Sequence, residues 1–275
     1  MTLCLVAGQG RLPHLLAERV QPDRIAALEG FLPEGLEVDH VFRVETLGSF
    51  LKTLGRAGVT RICFAGSIRR PKLDAKRVDT ATLPLVPRMM KVLGQGDDAA
   101  LRMVLGLFED RGIIPVGAHE LLPELLPPAG VAVGTLPKGA EHDADRASAI
   151  LAAMGGADVG QACVVARGQA LAVEALPGTD WMLDTVIAAR GEQGEGDANP
   201  LYRKLPAGGM LFKAPKPGQD RRIDLPTIGP GTVARAARAR LEGIVIEAQG
   251  VMVLDADETM ALARDRGLYL WVRPR

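Results

Sequence analysis

Leu3-Cys4-Leu5-Val6-Ala7-Gly8-Gln9-Gly10-Arg11-Leu12-Pro13 opens the chain with an unbroken apolar run followed by glycines and a proline. That is the pattern of a buried strand turning sharply into a helix, here expected near 14–19. The same grammar then repeats. Ile25 to Leu28 and Val41 to Val44 read as strands, 47–57 as a helix and Arg61 to Ala65 as a further strand. A helix starts at Asp97 or Asp98, carries Leu101, Val104, Leu105 and Phe108 on one face and stops at Gly112, and another β-like run ends at Val116-Gly117. Short apolar strands alternating with amphipathic helices predict an α/β fold with a parallel sheet and crossover helices.

The second half has a different rhythm. Pro127-Pro128-Ala129-Gly130 and the Gly/Pro-containing segment after it place a domain boundary within 127–142, dividing the chain into 1–132 and 133–275. A helix is expected near 143–154. Ala162 to Ala166 and Ala170 to Ala175 flank Arg167-Gly168-Gln169 as a hairpin or a crossover pair, and Gly178-Thr179-Asp180 opens a helix bearing Met182, Leu183, Val186 and Ile187. The polar run Gly191 to Ala198 reads as a mobile loop. A basic helix at 231–242, strands at Ile244 to Glu247 and Val251 to Leu254, a helix opened by Asp255 to Glu258 and a strand from Leu268 to Val272 complete a second α/β domain.

Composition narrows the function. The 275 residues are 47% hydrophobic with 33 basic and 33 acidic side chains, so no global field favours nucleic acid, and anion binding must come from local arrangement. Cys4, Cys63 and Cys163 lie inside apolar runs without ligand spacing, as buried thiols of a reducing compartment. With no signal-peptide pattern and no apolar run of membrane-spanning length, a cytoplasmic protein is expected. His14, His40, His119 and His142 form no zinc motif.

Several loops carry candidate chemistry. Gly8-x-Gly10-x-x-Pro13 lets a phosphate approach the amides at a helix start, although proline replaces the third glycine of a nicotinamide-dinucleotide fingerprint. Ser67, Arg69 and Arg70 follow a strand at the edge where open α/β sheets bind ligands, as does His119, a candidate for a base or a phosphate. Gly96-Asp97-Asp98 is sufficiently explained as a helix cap. The densest segment is Gly208 to Gly229, where Lys213, Lys216, Arg221, Arg222 and Asp224 stand on a frame of prolines and glycines suited to phosphate and metal chemistry. Glu174, Asp180 and Asp224 are three carboxylates at element ends that can hold a hard divalent cation if they converge. Leu83 to Leu93 mixes methionines with basic residues, and Leu85 and Met89 there serve either core packing or acyl and membrane contact.

In order, Ala7 to Pro13, Phe64 to Pro71, Gly96 to Asp98, Gly117 to Glu120, Asp158-Val159-Gly160-Gln161, Ala172 to Asp180 and Gly208 to Gly229 resemble the LpxI family of UDP-2,3-diacylglucosamine pyrophosphatases over nearly the whole chain. The resemblance implies a Rossmann-like N-terminal domain joined to a distinct C-terminal α/β domain, a homodimer, and dependence on a divalent cation, usually magnesium. It also implies cleavage of UDP-2,3-diacylglucosamine to UMP and 2,3-diacylglucosamine 1-phosphate (lipid X) in lipid A synthesis. For a substrate with two acyl chains, the Leu83 to Leu93 segment is the expected point of any transient contact with the inner-membrane surface. Asp224 matches the aspartate regarded as essential in that family.

On that basis Asp224, Lys213 and Lys216 are the expected catalytic residues, and Asp224, Glu174 and Asp180 the expected metal ligands. Gly8, Gly10, Leu12, Pro13, Gly66, Ser67, Arg69, His119, Thr179, Arg221 and Thr227 are the expected substrate contacts. Rival readings are an NAD-dependent oxidoreductase using the N-terminal glycines and a non-catalytic nucleotide-sugar-binding protein. Both leave the carboxylates of the second half without a role.

Overall fold

The computed structural model describes residues 1–69, 71, 73–92, 97–191 and 205–275, with Asp97 and Asp98 described by their backbone alone. Arg70, Gly96 and most of the polar 191–198 run lie outside the described residues. The chain divides into two units, one formed by Met1–Pro123 with Asp220–Asp224 and the other by Glu124–Gln219 with Leu225–Arg275.

The first unit follows the alternation closely. β1 (Thr2–Ala7) runs into α1 (Arg11–Val20), then β2 (Arg24–Leu28), β3 (His40–Phe42), α2 (Leu47–Arg56) and β4 (Val59–Ala65). α3 (Val86–Val92), α4 (Asp97–Glu109), β5 (Ile114–Pro115) and the single turn α5 (Ala118–Leu121) complete it. The strand order is β3-β2-β1-β4-β5, every neighbour parallel. Order reverses between β1 and β4, so the loops after these strands flank the topological switch point where such sheets take ligands. Phe50 of α2 stacks on Phe42 with ring centroids 4.0 Å apart, and Phe108 of α4 meets Phe50 and Phe64 edge-on, which fastens these helices to the sheet. Leu85 and Met89 belong to this core, whereas Leu83 and Met90 are exposed.

The second unit contains β6 (Gly130–Val133), α6 (Ala140–Gly155), β7 (Ala162–Ala166), β8 (Gln169–Val173), α7 (Thr179–Arg190) and β9 (Met210–Lys213). β10 (Thr227–Ile228), α8 (Pro230–Arg238), β11 (Gly243–Glu247), β12 (Met252–Val253), α9 (Ala256–Asp265) and β13 (Tyr269–Arg273) follow. Its six-stranded sheet has the order β6-β13-β11-β9-β7-β8, with β9, β11 and β13 parallel and β6 and β7 antiparallel to their neighbours. β10 and β12 form a separate parallel pair.

Side chains alternate across that sheet into two cores. Val164, Leu211, Ile244 and Ile246 pack with Met182, Leu183 and Val186 of α7, while Val165, Phe212 and Val245 pack with Ala144, Ala147 and Leu151 of α6. Burial on both faces is why these strands read as continuous apolar runs.

β7 and β8 form the hairpin reading of 162–175, with Arg167 and Gly168 both at positive φ (54° and 75°) in the two-residue turn. Buried Asp143 supports that turn by accepting the Arg167 and Gly168 amides at 2.9 and 2.6 Å. The three cysteines are buried free thiols, and burial pushes each up to about 12. Among the described residues, no helix is long and apolar enough to cross a membrane.

Candidate functional site

The two loops at the switch point of the first unit are tied to each other. The Gly8 amide donates to the Ala65 carbonyl at 2.7 Å, and Gln9 and Ser67 exchange backbone hydrogen bonds of 3.0 and 2.8 Å. A Cβ on Gly8 would stand 2.8 Å from the Ser67 carbonyl oxygen, and one on Gly66 (φ +92°) would stand 2.7 Å from Pro13 Cγ and from the Gly8 carbonyl carbon. These glycines are therefore required by the crossing of the loops, whatever binds above them. Gly10 differs: at φ +102° it precedes the first residue of α1, and a Cβ there would meet open space. Leu12 and Pro13 are buried on α1, and Ser67 and Arg69 are exposed beyond β4.

His119 sits on α5 with its imidazole folded against Gly117, where an added Cβ would come within 2.7 Å of Nδ1. That Nδ1 is buried and has no hydrogen-bond partner among the described residues. Glu120 closes the turn by accepting the Gly117 amide at 2.7 Å. Burial holds His119 below the usual histidine range; Glu120 opposes this and Arg221 reinforces it. His119 and Arg221 both belong to the first unit.

In the second unit, four residues form one hydrogen-bonded chain. Lys213, the last residue of β9, is only 7% exposed and donates from Nζ to Thr179 Oγ1 at 2.8 Å. Thr179, the first residue of α7, donates in turn to Glu174 Oε1 at 2.7 Å, and Glu174 Oε2 accepts the Gln161 amide at 2.9 Å. Gly160 allows this: a Cβ there would fall 2.3 Å from the Glu174 carbonyl oxygen, so only glycine brings 160–161 against the end of β8. Both Glu174 oxygens thus have protein donors. Asp180 points outward from the first turn of α7, 62% exposed, with Arg235 Nη1 at 3.3 Å.

The segment beyond Lys213 is stapled to the 158–161 loop. Lys216 pairs through Nζ with Asp158, a residue at φ +53°. The Lys216 amide donates to Gln219 Oε1 at 3.0 Å, the Gln219 side-chain amide reaches Gln161 Oε1 at 3.4 Å, and the Ala214 amide donates to the Gln161 carbonyl at 3.1 Å. Thr227 is half-buried on β10.

Asp220 to Asp224 belong to the first unit. Arg222 grips both Asp220 oxygens, at 2.9 Å from Nε and 2.7 Å from Nη2, and reaches Glu109 of α4 at 2.7 Å from Nη1. The Arg222 hydrogen bond is the largest cause that holds the Asp220 carboxyl below the usual carboxylate range, with burial opposing. The Ile223 and Asp224 amides both point back to the Asp220 carbonyl at 3.3 Å, and Asp224 is half-buried at the end of this turn. Arg222, expected to face phosphate, is engaged by two carboxylates and shapes the turn that presents Asp224.

Among the described residues, no three His, Cys, Asp or Glu side chains are grouped closely enough to hold a metal ion. Asp158, Gln161, Asp220 and Glu109 carry structural work at these loops that residue type alone did not single out. For Gln161 the signal was the glycine before it.

The family model described as the LpxI N-terminal domain matches residues 2–125, and that described as the LpxI C-terminal domain matches residues 128–271. This chain belongs to the LpxI family. A relative from Caulobacter vibrioides, UDP-2,3-diacylglucosamine pyrophosphatase LpxI, is 39% identical over 276 residues, spanning 98% of this chain and 96% of the relative. LpxI membership covers both units, so it removes the reading of the N-terminal glycines as a nicotinamide site standing alone.

Proposed function

We propose that this protein is a UDP-2,3-diacylglucosamine pyrophosphatase, hydrolysing the substrate to UMP and 2,3-diacylglucosamine 1-phosphate in lipid A biosynthesis. The observation that carries the reading is the end-to-end similarity to the Caulobacter vibrioides pyrophosphatase, with matches to both LpxI domain models. Phosphoryl transfer to water needs neutralised nonbridging oxygens and a positioned nucleophile. Lys213 supplies a buried positive charge, and Asp224, held on its braced turn, orients the attacking water and takes its proton. The Gly10 to Arg11 amides, Ser67, Arg69, His119 and Arg221 are the proposed contacts to the uridine diphosphate portion.

Magnesium fits this reading through Asp224. It commonly uses one or two carboxylates together with substrate phosphates and retained waters, and so needs no protein cage. Glu174 and Asp180 fit less well as ligands, since the first is committed to Thr179 and Gln161 and the second to Arg235. When bound, the cation would neutralise phosphate oxygens. A cytoplasmic homodimer that meets its lipid substrate at the inner-membrane surface completes the proposal, with exposed Leu83 and Met90 as the side chains able to touch lipid.

Incubating the full chain with UDP-2,3-diacylglucosamine, with and without magnesium, and identifying the products tests the reading. UMP and lipid X are expected; binding without release of UMP would leave a nucleotide-sugar-binding protein. Asp224→Asn is expected to lower turnover by about 100-fold or more, the lower range for a lost general base. A folded variant with wild-type turnover at saturating magnesium would remove Asp224 from the mechanism.

A further inference from the structure

We infer that Thr179 is a positioning residue whose hydroxyl pins the Lys213 ammonium and couples it to Glu174 as internal counter-charge, so that neither Thr179 nor Glu174 spends its polar atoms on substrate or metal. The inference rests on the pyrophosphatase reading for its catalytic consequence. Its structural part rests on three hydrogen bonds. Lys213 Nζ donates to Thr179 Oγ1 at 2.8 Å, Thr179 donates to Glu174 Oε1 at 2.7 Å, and Gln161 N–H occupies Glu174 Oε2 at 2.9 Å.

Direction matters in this chain. Lysine can only donate and an ionised carboxylate can only accept, so a group between them must do both, and a hydroxyl is the smallest side-chain group that does. Lys213 and Glu174 are each 7% exposed. Burying either charge alone costs several kcal/mol, which a counter-charge reached through the Thr179 hydroxyl offsets.

The surroundings fix the backbone of every member. Lys213 lies in register between Ala162 of β7 and Ile246 of β11. Glu174 is held by the Gly160 approach, and Thr179 by the turn in which the Gly178 amide donates to the Ala175 carbonyl at 2.9 Å. The lysine stem has four rotatable bonds, and the hydrogen bond to Thr179 favours one placement for its end. A charge held ready stabilises a developing phosphate charge without reorganisation, so the benefit falls on turnover more than on substrate affinity.

Thr179→Val preserves shape and removes both hydrogen bonds; Thr179→Ser preserves the hydroxyl. With UDP-2,3-diacylglucosamine, Thr179→Val is expected to lower kcat by about tenfold or more with KM within about threefold, and Thr179→Ser to stay within about threefold of wild type. In a Lys213→Met background, adding Thr179→Val should change kcat less than about twofold, because the residue acts through Lys213. Wild-type kcat in Thr179→Val, or losses that simply add in the double variant, overturns the inference. If the valine variant does not fold, Thr179→Ala carries the same comparison.

A second readout needs no turnover. Brief acetic anhydride labelling, followed by peptide mass spectrometry, should modify Lys213 severalfold faster in Thr179→Val than in wild type or Thr179→Ser, and an unchanged rate counts against the inference. A wild-type chain that releases no UMP would instead refute the proposed activity, with the labelling still deciding whether Thr179 holds Lys213.

Discussion

Replacing Arg222 with Met should loosen the turn that carries Asp224 while leaving both cores intact. Arg222 makes a two-pronged contact with Asp220, at 2.9 and 2.7 Å, and a single contact with Glu109 at 2.7 Å. The Glu109 pair is 36% and 46% exposed and is worth well under about 1 kcal/mol after solvent screening. The Asp220 side is better sheltered, at 18%, and a charge-assisted pair of that kind contributes about 1.5–2 kcal/mol once Arg222's own exposure is discounted.

Together these give roughly 2 kcal/mol of local stability, so opening of the turn should become about 30-fold more frequent. Hydrogen–deuterium exchange of the peptide covering 220–224 measures this, with the Ile223 and Asp224 amides as reporters. Melting of the whole protein should move little, because no buried apolar group is lost. Turnover should fall with the loosening, since misplacing a reacting group by about 1 Å can cost a factor of about 100. Arg222→Lys should not restore it, because a lysine cannot span both Asp220 oxygens. Unchanged exchange at 220–224 together with a large loss of turnover would refute the bracing role and return Arg222 to the phosphate.

Three further outcomes follow from buried polar groups and close backbone approaches. Asp143→Ala removes both acceptors from the Arg167-Gly168 turn and should destabilise the second unit by about 2–4 kcal/mol, read from the denaturant midpoint. Gly66→Ala forces a Cβ into Pro13 and the Gly8 backbone at positive φ, and should cost roughly 3 kcal/mol by the same measurement. Glu45 is nearly fully buried, which on its own would raise its pKa, yet hydrogen bonds from the Asp74 amide and Arg43 outweigh burial and lower it. Its stabilising contribution is therefore present above the ordinary glutamate value of about 4.3 and is lost as pH falls through the lower folded value. Glu45→Gln should flatten the loss of stability on acidification below about pH 4, measured as melting temperature against pH.

The parts of the fold that the sequence displays are those with an unambiguous local cause. β1 and the turn into α1, the β7–β8 hairpin and the start of α7 at Thr179 each combine a buried apolar run with glycine at a position of special φ. β6 was hidden because Gly130-Val131-Ala132-Val133 is a short edge strand, half exposed, beside a Pro-Pro pair, and it becomes a strand only by pairing with β13. Side-chain type located the candidate site but not its wiring. Glu174 has the chemistry of a metal ligand, and nothing local reveals that a threonine five residues later and a glutamine amide on another strand's approach will take both oxygens. Gly8 and Gly66 likewise announce a close approach without saying to what, and the partner is the neighbouring loop.

The placement of Asp220–Asp224 with the first unit has a consequence for how this protein can be taken apart or recombined. The backbone changes unit after residues 123, 219 and 224, so no single cut yields two self-sufficient fragments. A piece ending at Pro123 would lack the arginine that engages Glu109, and a hybrid joining the front of one homologue to the back of another would import a five-residue insert shaped for a different host. A swap between relatives therefore keeps each unit whole only if the five residues that carry Asp224 travel with the front of the chain.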